Sequence, residues 1–228
     1  MKKVLFIILS AVVLFSFTSC TKDKVQDEVE EPVLYSLNGL GNNSGEPTGE
    51  EFELPTFVKI IGEIRGGEMP GAKTNIDKSI PAPQLKDGIF TAYGTGTYVH
   101  VYMGFLNTLG ADIVLNIPGG LMFQDNTRYT QHGVILQDAH IPIGANDTVY
   151  VKLEAYCLNK EITGGGNYNT IYEMGPVTNY PDLVQIIDIL KTKQLPIGNE
   201  YSIQTIIWNV TDGTGITEAD IDYLNSLI

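Results

Sequence analysis

Two side chains in this sequence can react with each other, the thiol of Cys157 and the carboxamide of Gln204. A thiolate that attacks the side-chain carbonyl of a glutamine expels ammonia and leaves an internal thioester. Such a bond persists only in a nearly dry pocket, and its formation needs donors for the oxyanion of the tetrahedral intermediate. The elements that carry the two residues must therefore bring them together on a buried face.

Cys157 lies near the end of a predicted β-strand, Thr148–Leu158, that follows a polar turn. Its apolar residues alternate with larger polar ones, and one face carries Val149, Val151, Leu153, Ala155 and Cys157. A period of two that is rich in Val, Tyr and Leu is typical of a half-buried strand. The pattern therefore predicts that the thiol points inward with the valines.

Gln204 lies in a predicted helix, Glu200–Val210, with an apolar stripe formed by Ile203, Ile206, Ile207 and Val210. Gln204 and Trp208 are four residues apart, so they share one edge of that stripe. A carboxamide at this edge can meet a thiol on the strand, with Tyr156 and Trp208 as candidate shields against water. The alternative is a buried Cys157 that acts as a small hydrophobe and a Gln204 without chemistry.

Two motifs resemble those of bacterial thioester-domain surface adhesins. The segment Tyr156-Cys157-Leu158 is similar to their Tyr/Phe/Leu-Cys-Val motif, and Gln204–Trp208 is similar to their Thr-Gln-x-Ala-Ile/Val-Trp motif. The likeness extends over Asn107–Leu158 but not over residues 1–50. It departs from the family pattern at three positions, where this chain has Leu158, Ile203 and Ile206.

The resemblance implies a function. In that family the Cys and Gln of the two motifs form the thioester, and a surface amine, typically of a lysine, attacks it to give a covalent amide. Here it implies a Cys157–Gln204 thioester, no cofactor and no metal, and a surface protein or other amine-bearing ligand as partner. The chain is then no enzyme beyond self-catalysed bond formation. The open alternative is a non-covalent binding or structural surface module in which Cys157 is simply buried.

The first twenty residues are typical of a lipoprotein signal. Lys2 and Lys3 precede the apolar run Val4–Phe17, which is too short to span a bilayer. The run leads into Thr18-Ser19-Cys20, and Phe17–Cys20 resembles a bacterial lipobox, so cleavage before Cys20 and lipidation of its sulfur are expected. This predicts a lipid-anchored cell-envelope protein, facing the exterior of the outer membrane. With Cys20 acylated, Cys157 has no cysteine left for an intramolecular disulfide.

Charge limits the partners. The formal net charge is −13, and loss of the signal peptide with its two lysines makes it more negative. Such a surface repels nucleic acid and anionic lipid. The sequence therefore predicts no nucleic-acid partner, and membrane contact only through the lipid on Cys20.

The spacing of elements predicts a mainly β, α+β fold, in which a β-sandwich is followed by a small helical subdomain at the C-terminus. Short strands separated by Gly, Pro and Asn come first, and three helices come last, at Asp182–Lys193, Glu200–Val210 and Glu218–Leu227. The predicted divisions are a signal peptide (1–19), the lipidated cysteine with a disordered acidic tether (20–51), the sandwich (52–158), and a loop with the helical subdomain (159–228).

Other chemistries lack their residue patterns. The cysteine and the dispersed histidines His100, His132 and His140 show no zinc-ligand spacing. A sortase-like Cys-His site requires an arginine after the cysteine, and no arginine follows Cys157 in this chain. The glycine-rich loop Thr163–Asn167 has no Gly-Lys-Ser/Thr, so it is no phosphate loop. No pair of carboxylates is indicated for glycoside hydrolysis.

Overall fold

The computed structural model of the chain describes residues 37–43, 45–67, 90–125, 131–162, 170–195 and 198–228. The predicted signal peptide, the lipidated Cys20 and the acidic segment up to residue 36 lie outside the described residues. The same is true of residues 69–86 and of the glycine-rich loop Thr163–Asn167.

In the described ranges, strands precede helices, as the sequence predicts. The strands are β1 (Gly49–Glu50), β2 (Val58–Gly66), β3 (Thr91–Gly94), β4 (Val99–Asn107), β5 (Ile113–Ile117), β6 (Leu121–Asp125), β7 (Gly133–Val134), β8 (Ala139–Ile143), β9 (Thr148–Cys157) and β10 (Ile171–Thr178). The helices are α1 (Pro181–Leu190), α2 (Glu200–Thr211) and α3 (Glu218–Ser226). The mainly β fold with helices at the end is therefore confirmed.

The predicted β-sandwich is wrong, because the strands close into a barrel. The sheet runs β10-β2-β4-β9-β7-β6, and β6 pairs back with β10 to complete the ring. The short β1 adds to β10, β3 pairs in parallel with β9, and β5 and β8 form a separate ribbon. Closure leaves the six ring strands with neighbours on both sides, which removes the exposed edges of an open sheet.

Strand β10 was not predicted from the sequence, and it is the strand that closes the barrel. It contains Gly175-Pro176, a pair that indicates a loop. In the structure these two residues lie where the register of the β10–β6 pairing shifts, between Met174 and Val177. An irregularity of this kind accommodates a proline within a ladder. The predicted boundary at residue 158 therefore does not divide the fold, since β10 belongs to the barrel.

The prediction of which face of β9 points inward is confirmed. Val151 and Leu153 have no exposed surface, whereas Lys152 and Glu154 on the other face are half-buried. Val149, nearer the start of the strand, is only partly buried. These inward side chains join the core of the barrel, which also contains Cys157.

The helices pack on the outside of the barrel and form a second apolar cluster. The sheet contributes Met122, Val134, Leu136, Tyr156 and Leu158, and the helices contribute Leu183, Ile186, Leu190, Ile203, Ile206, Ile207, Val210 and Leu224. The part of the sheet around the end of β9 is thus buried on both faces. Helix α3 begins with a capping box, in which Thr217 and Asp220 exchange hydrogen bonds.

Residues 37–50, here called the N-terminal segment, are ordered where the structure describes them, so the predicted disorder of this stretch is wrong. Leu40 is 2% exposed and packs in the helical cluster. The N–H of Gly41 donates to the carbonyl of Leu158 at 2.9 Å. Gly41 has φ +56°, and a Cβ there would lie 2.3 Å from the carbonyl oxygen of Thr211. Glycine at position 41 therefore allows the segment to approach α2 closely. The glycine-rich composition of the N-terminal segment is otherwise typical of a flexible linker.

Truncation of Leu153 to Ala tests the inward face of β9. Because Leu153 is fully buried in the barrel core, we expect a loss of about 2–5 kcal/mol in the free energy of unfolding, measured by urea denaturation. Lys152→Ala, on the opposite face, is the matched control and should change it by less than about 1 kcal/mol. Equal losses in the two variants would contradict the assigned register.

Candidate functional site

The candidate site lies at the end of β9, just beyond the last residue that pairs with β4. Strand β4 pairs with β9 as far as Val99, which lies opposite Ala155. In that register the residue opposite Cys157 would be Thr97, which lies in a bend before β4 begins. On this side, β4 therefore supplies no strand partner for the main chain of Cys157.

Gln204 takes the place of the missing strand. Its Oε1 accepts a hydrogen bond from the main-chain N–H of Cys157 at 2.8 Å, and its Nε2 donates to the carbonyl of Cys157 at 2.7 Å. The carboxamide thus pairs with Cys157 as a peptide group of a neighbouring strand would. Gln204 has no exposed surface, so these two bonds attach α2 to the end of β9 inside the protein.

The sulfur of Cys157 is also buried, and Asn159 holds the chain around it. Sγ accepts a hydrogen bond from the N–H of Asn159 at 3.3 Å. The Asn159 side chain accepts from the N–H of His132 at 2.9 Å and donates to the carbonyls of Gly39 and Gly41 at 3.0 and 2.9 Å. This one side chain therefore joins the end of β9, the start of β7 and the N-terminal segment.

Trp208 lies one helical turn after Gln204 and packs against the barrel core. Its ring meets Tyr98 edge to face, with centroids 5.2 Å apart. Nε1 is buried and makes no hydrogen bond of ordinary geometry with any described residue, although the indole interacts with the thiol of Cys157. A buried donor without an acceptor costs about 1–3 kcal/mol.

Burial sets the protonation state of the thiol. It raises the pKa of Cys157 from 9.0 to about 11, while the Trp208 indole and the N–H of Asn159 oppose the rise by smaller amounts. Cys157 is therefore a neutral thiol at neutral pH. Burial likewise raises the pKa of Tyr156 to about 12, against the opposing effect of its hydrogen bond to Thr95.

The structure brings together three of the four residues that the sequence nominates, namely Cys157, Gln204 and Trp208. The fourth, Tyr156, packs in the helical cluster on the other face of β9, because neighbouring residues of a strand point to opposite faces. It therefore does not cover the sulfur as expected. Cys20 lies outside the described residues.

Sequence reasoning missed Asn159, whose N–H donates to the sulfur, and the two parts of the chain that its side chain joins, His132 and the N-terminal segment. A small cavity of about 220 Å³ opens between them, lined by Gly39, Gly41, Asn42, Asn43, Gly45, His132, Asn159 and Ile162. No sequence signal marks these residues, since an asparagine after a strand and a glycine-rich stretch are ordinary features of loops.

Other kinds of site find no support in the described part of the chain. There, no group of three or more His, Cys, Asp or Glu side chains is arranged to hold a metal ion. Residues 212–216 follow α2 as a turn, where the N–H of Thr214 donates to the carbonyl of Asn209. None of the helices that the structure describes is long and apolar enough to cross a membrane.

No protein-family model matches the chain, and no significant match was found among curated proteins or among solved structures. The likeness to thioester-domain adhesins therefore depends on the two short sequence motifs alone.

Replacement of Gln204 by Leu tests the structural part of this geometry. Leu has a similar size but leaves the N–H and C=O of Cys157 without partners in a buried place. We expect a loss of about 2–5 kcal/mol in the free energy of unfolding, measured by urea denaturation. The same substitution at the exposed Gln185 of α1 is the control and should be nearly neutral. Similar effects at both positions would show that the paired hydrogen bonds do not stabilise the fold.

The thiol pKa predicts how stability changes with pH if Cys157 is unmodified. Because folding raises this pKa from 9.0 to about 11, the stabilisation is complete below pH 9 and is lost as pH rises through 11. The loss should reach roughly 2–3 kcal/mol. The Cys157→Ala variant should not show this loss of stability. It should keep the decline in stability that ionisation of Tyr156 causes in both proteins. Parallel profiles for the two proteins would show that wild-type Cys157 carries no titratable thiol.

Proposed function

We propose that Sγ of Cys157 and Cδ of Gln204 form an internal thioester, which an amine of a surface protein or other ligand attacks to give a covalent link. The observation that carries the proposal is the pair of hydrogen bonds of 2.8 and 2.7 Å that holds the Gln204 carboxamide against Cys157. Both residues have no exposed surface, which meets the requirement for a dry site.

The geometry suits attack by the sulfur. A strand side chain stands roughly perpendicular to its sheet, whereas the Gln204 carboxamide extends the hydrogen bonds of the sheet. The sulfur therefore lies off the plane of the carboxamide, which is the side from which a nucleophile approaches a carbonyl carbon. Attack requires Sγ and Cδ to reach about 3–3.5 Å.

The hydrogen bonds to Gln204 also suit the steps of bond formation. Sγ bonds to Cδ, the Cδ–Nε2 bond breaks, and the nitrogen leaves as ammonia with the proton of the thiol. The N–H of Cys157 already donates to Oε1, so a donor is in place where negative charge develops on the oxygen. The bond from Nε2 to the carbonyl of Cys157 orients the nitrogen that departs, and it is lost when ammonia leaves.

Capture of the target is the second step. The amine forms a bond to Cδ of Gln204, and Cys157 is released as a thiol. The cavity of about 220 Å³ beside Asn159 is the approach we assign to the amine, because Asn159 contacts both the cavity and the sulfur. The net charge of −13 favours a lysine-rich target surface through electrostatic steering. Lipidation at Cys20 would hold the domain on the outside of the cell, where such targets occur.

A second candidate is a non-covalent binding or structural surface module, and one observation favours it. Both hydrogen bonds of Gln204 go to the main chain of Cys157, so the glutamine supports the fold without any need for the sulfur. In this reading Cys157 is a small buried side chain, and a native protein carries an intact thiol.

Intact mass distinguishes the two candidates. With a thioester, the purified domain should be lighter than its sequence by one ammonia, and its cysteine should resist alkylation while folded. Methylamine should then add to Gln204 and release the thiol. Cys157→Ala is the matched control, because it removes the nucleophile but keeps both hydrogen bonds to the main chain of residue 157. It should fold and show the full mass, and Gln204→Ala should also show the full mass.

The thioester would be refuted by a wild-type mass that shows no loss of ammonia, together with a Cys157 thiol that reacts with an alkylating reagent. A mass deficit that persists in folded Cys157→Ala would refute it as well, because the lost ammonia would then come from another residue.

A further inference from the structure

The indole N–H of Trp208 is buried, although shielding of the site does not require it. Two N–H groups act on the sulfur of Cys157, the main-chain N–H of Asn159 at 3.3 Å and the indole N–H of Trp208. The indole makes no ordinary hydrogen bond with any described residue. A neutral thiol is a weak acceptor, so it leaves this donor unsatisfied, whereas an ionised acceptor forms much stronger hydrogen bonds.

We propose that the indole N–H of Trp208, together with the N–H of Asn159, binds the thiolate that departs when an amine opens the Cys157–Gln204 thioester. This inference rests on the proposed function and makes Trp208 a catalytic residue as well as a packing one. In that step the amine nitrogen bonds to Cδ, the Cδ–Sγ bond breaks, and its electron pair remains on Sγ. A proton of the amine then passes to the sulfur, which leaves an amide and a neutral thiol.

The position of Trp208 suits this task. Gln204 and Trp208 are one turn apart on α2, so one rigid helix presents both the acyl group and the donor for the leaving sulfur. Contact with the ring of Tyr98 restricts the indole, and donors held in place before the charge develops stabilise it without reorganisation. The same two N–H groups oppose the rise in the pKa of Cys157, as donors to a thiolate must.

Trp208→Phe tests the assignment, because it keeps an aromatic shield and removes the N–H. The variant should still form the thioester, seen as the ammonia deficit in intact mass. Its opening by methylamine should be slower by roughly 10- to 100-fold, and the released thiol should titrate at a higher pH than in the wild type. If Trp208 only shielded the thioester, the variant should open faster than the wild type, because a smaller ring would give amine and water easier access.

Tyr201→Phe is the control, because it removes one donor from an exposed ring of the same helix. It should leave the opening rate unchanged. If Trp208→Phe does not fold, replacement of the indole by a benzothiophene, as β-(3-benzothienyl)alanine, removes the N–H and preserves both rings. The same slowing is expected.

The outcomes separate the two proposals. A wild type without the ammonia deficit overturns the proposed function and this inference with it. A wild type with the deficit, and a Trp208 variant that opens as fast or faster, overturns only the role of the indole. A folded variant that never forms the bond also overturns it, because a donor for the leaving sulfur is not needed for the thioester to exist.

Discussion

The site depends on one interaction, the two-point hydrogen bond between the Gln204 carboxamide and the main chain of Cys157. Strand β4 begins two residues too late to pair with Cys157, which would leave a buried N–H and C=O without partners. An unpaired peptide group inside a protein is costly. Gln204 removes that cost, and in doing so it fixes the angle and height of α2 on the barrel.

The same interaction explains why Trp208 and the sulfur meet. Once Gln204 is attached to β9, the next turn of α2 must lie over the end of the barrel core, where Cys157 points. Tyr98, just before β4, closes the space beside the indole. A geometry that serves stability thus also places the Gln204 carboxamide, the N–H of Cys157 and the thiol in one buried volume. The proposed thioester requires this arrangement, and the fold would have it without any reaction.

Asn159, whose N–H donates to the sulfur, lies in a part of the chain that looks unremarkable in sequence. Asn159 ties the end of β9 to the N-terminal segment through Gly39 and Gly41. Gly41 in turn lies against the carbonyl of Thr211 at the end of α2. Contacts with the backbone therefore hold this part of the chain together, and at Gly41 they depend on glycine because a side chain would collide.

The sequence by itself determined the local elements, since these depend on periodicity and on capping residues. Alternation in Thr148–Leu158 gave the strand, its register and the inward direction of Cys157. The spacing of the isoleucines in α2 placed Gln204 and Trp208 on one edge, and Thr217 with Asp220 marked the start of α3. Such signals act over a few residues and can be read without knowledge of the fold.

Only the tertiary structure decided how these elements meet. Barrel closure depends on β10, whose Gly175-Pro176 reads as a loop until β2 and β6 pair with it. Tyr156 does not shield the sulfur, because alternation along β9 places it on the face opposite Cys157, and only the fold shows that helices cover that face. Asn159 and the N-terminal segment gain their roles from contacts with residues more than a hundred positions away. Long-range pairing of this kind leaves no local pattern, because burial and partner choice are properties of the assembled fold.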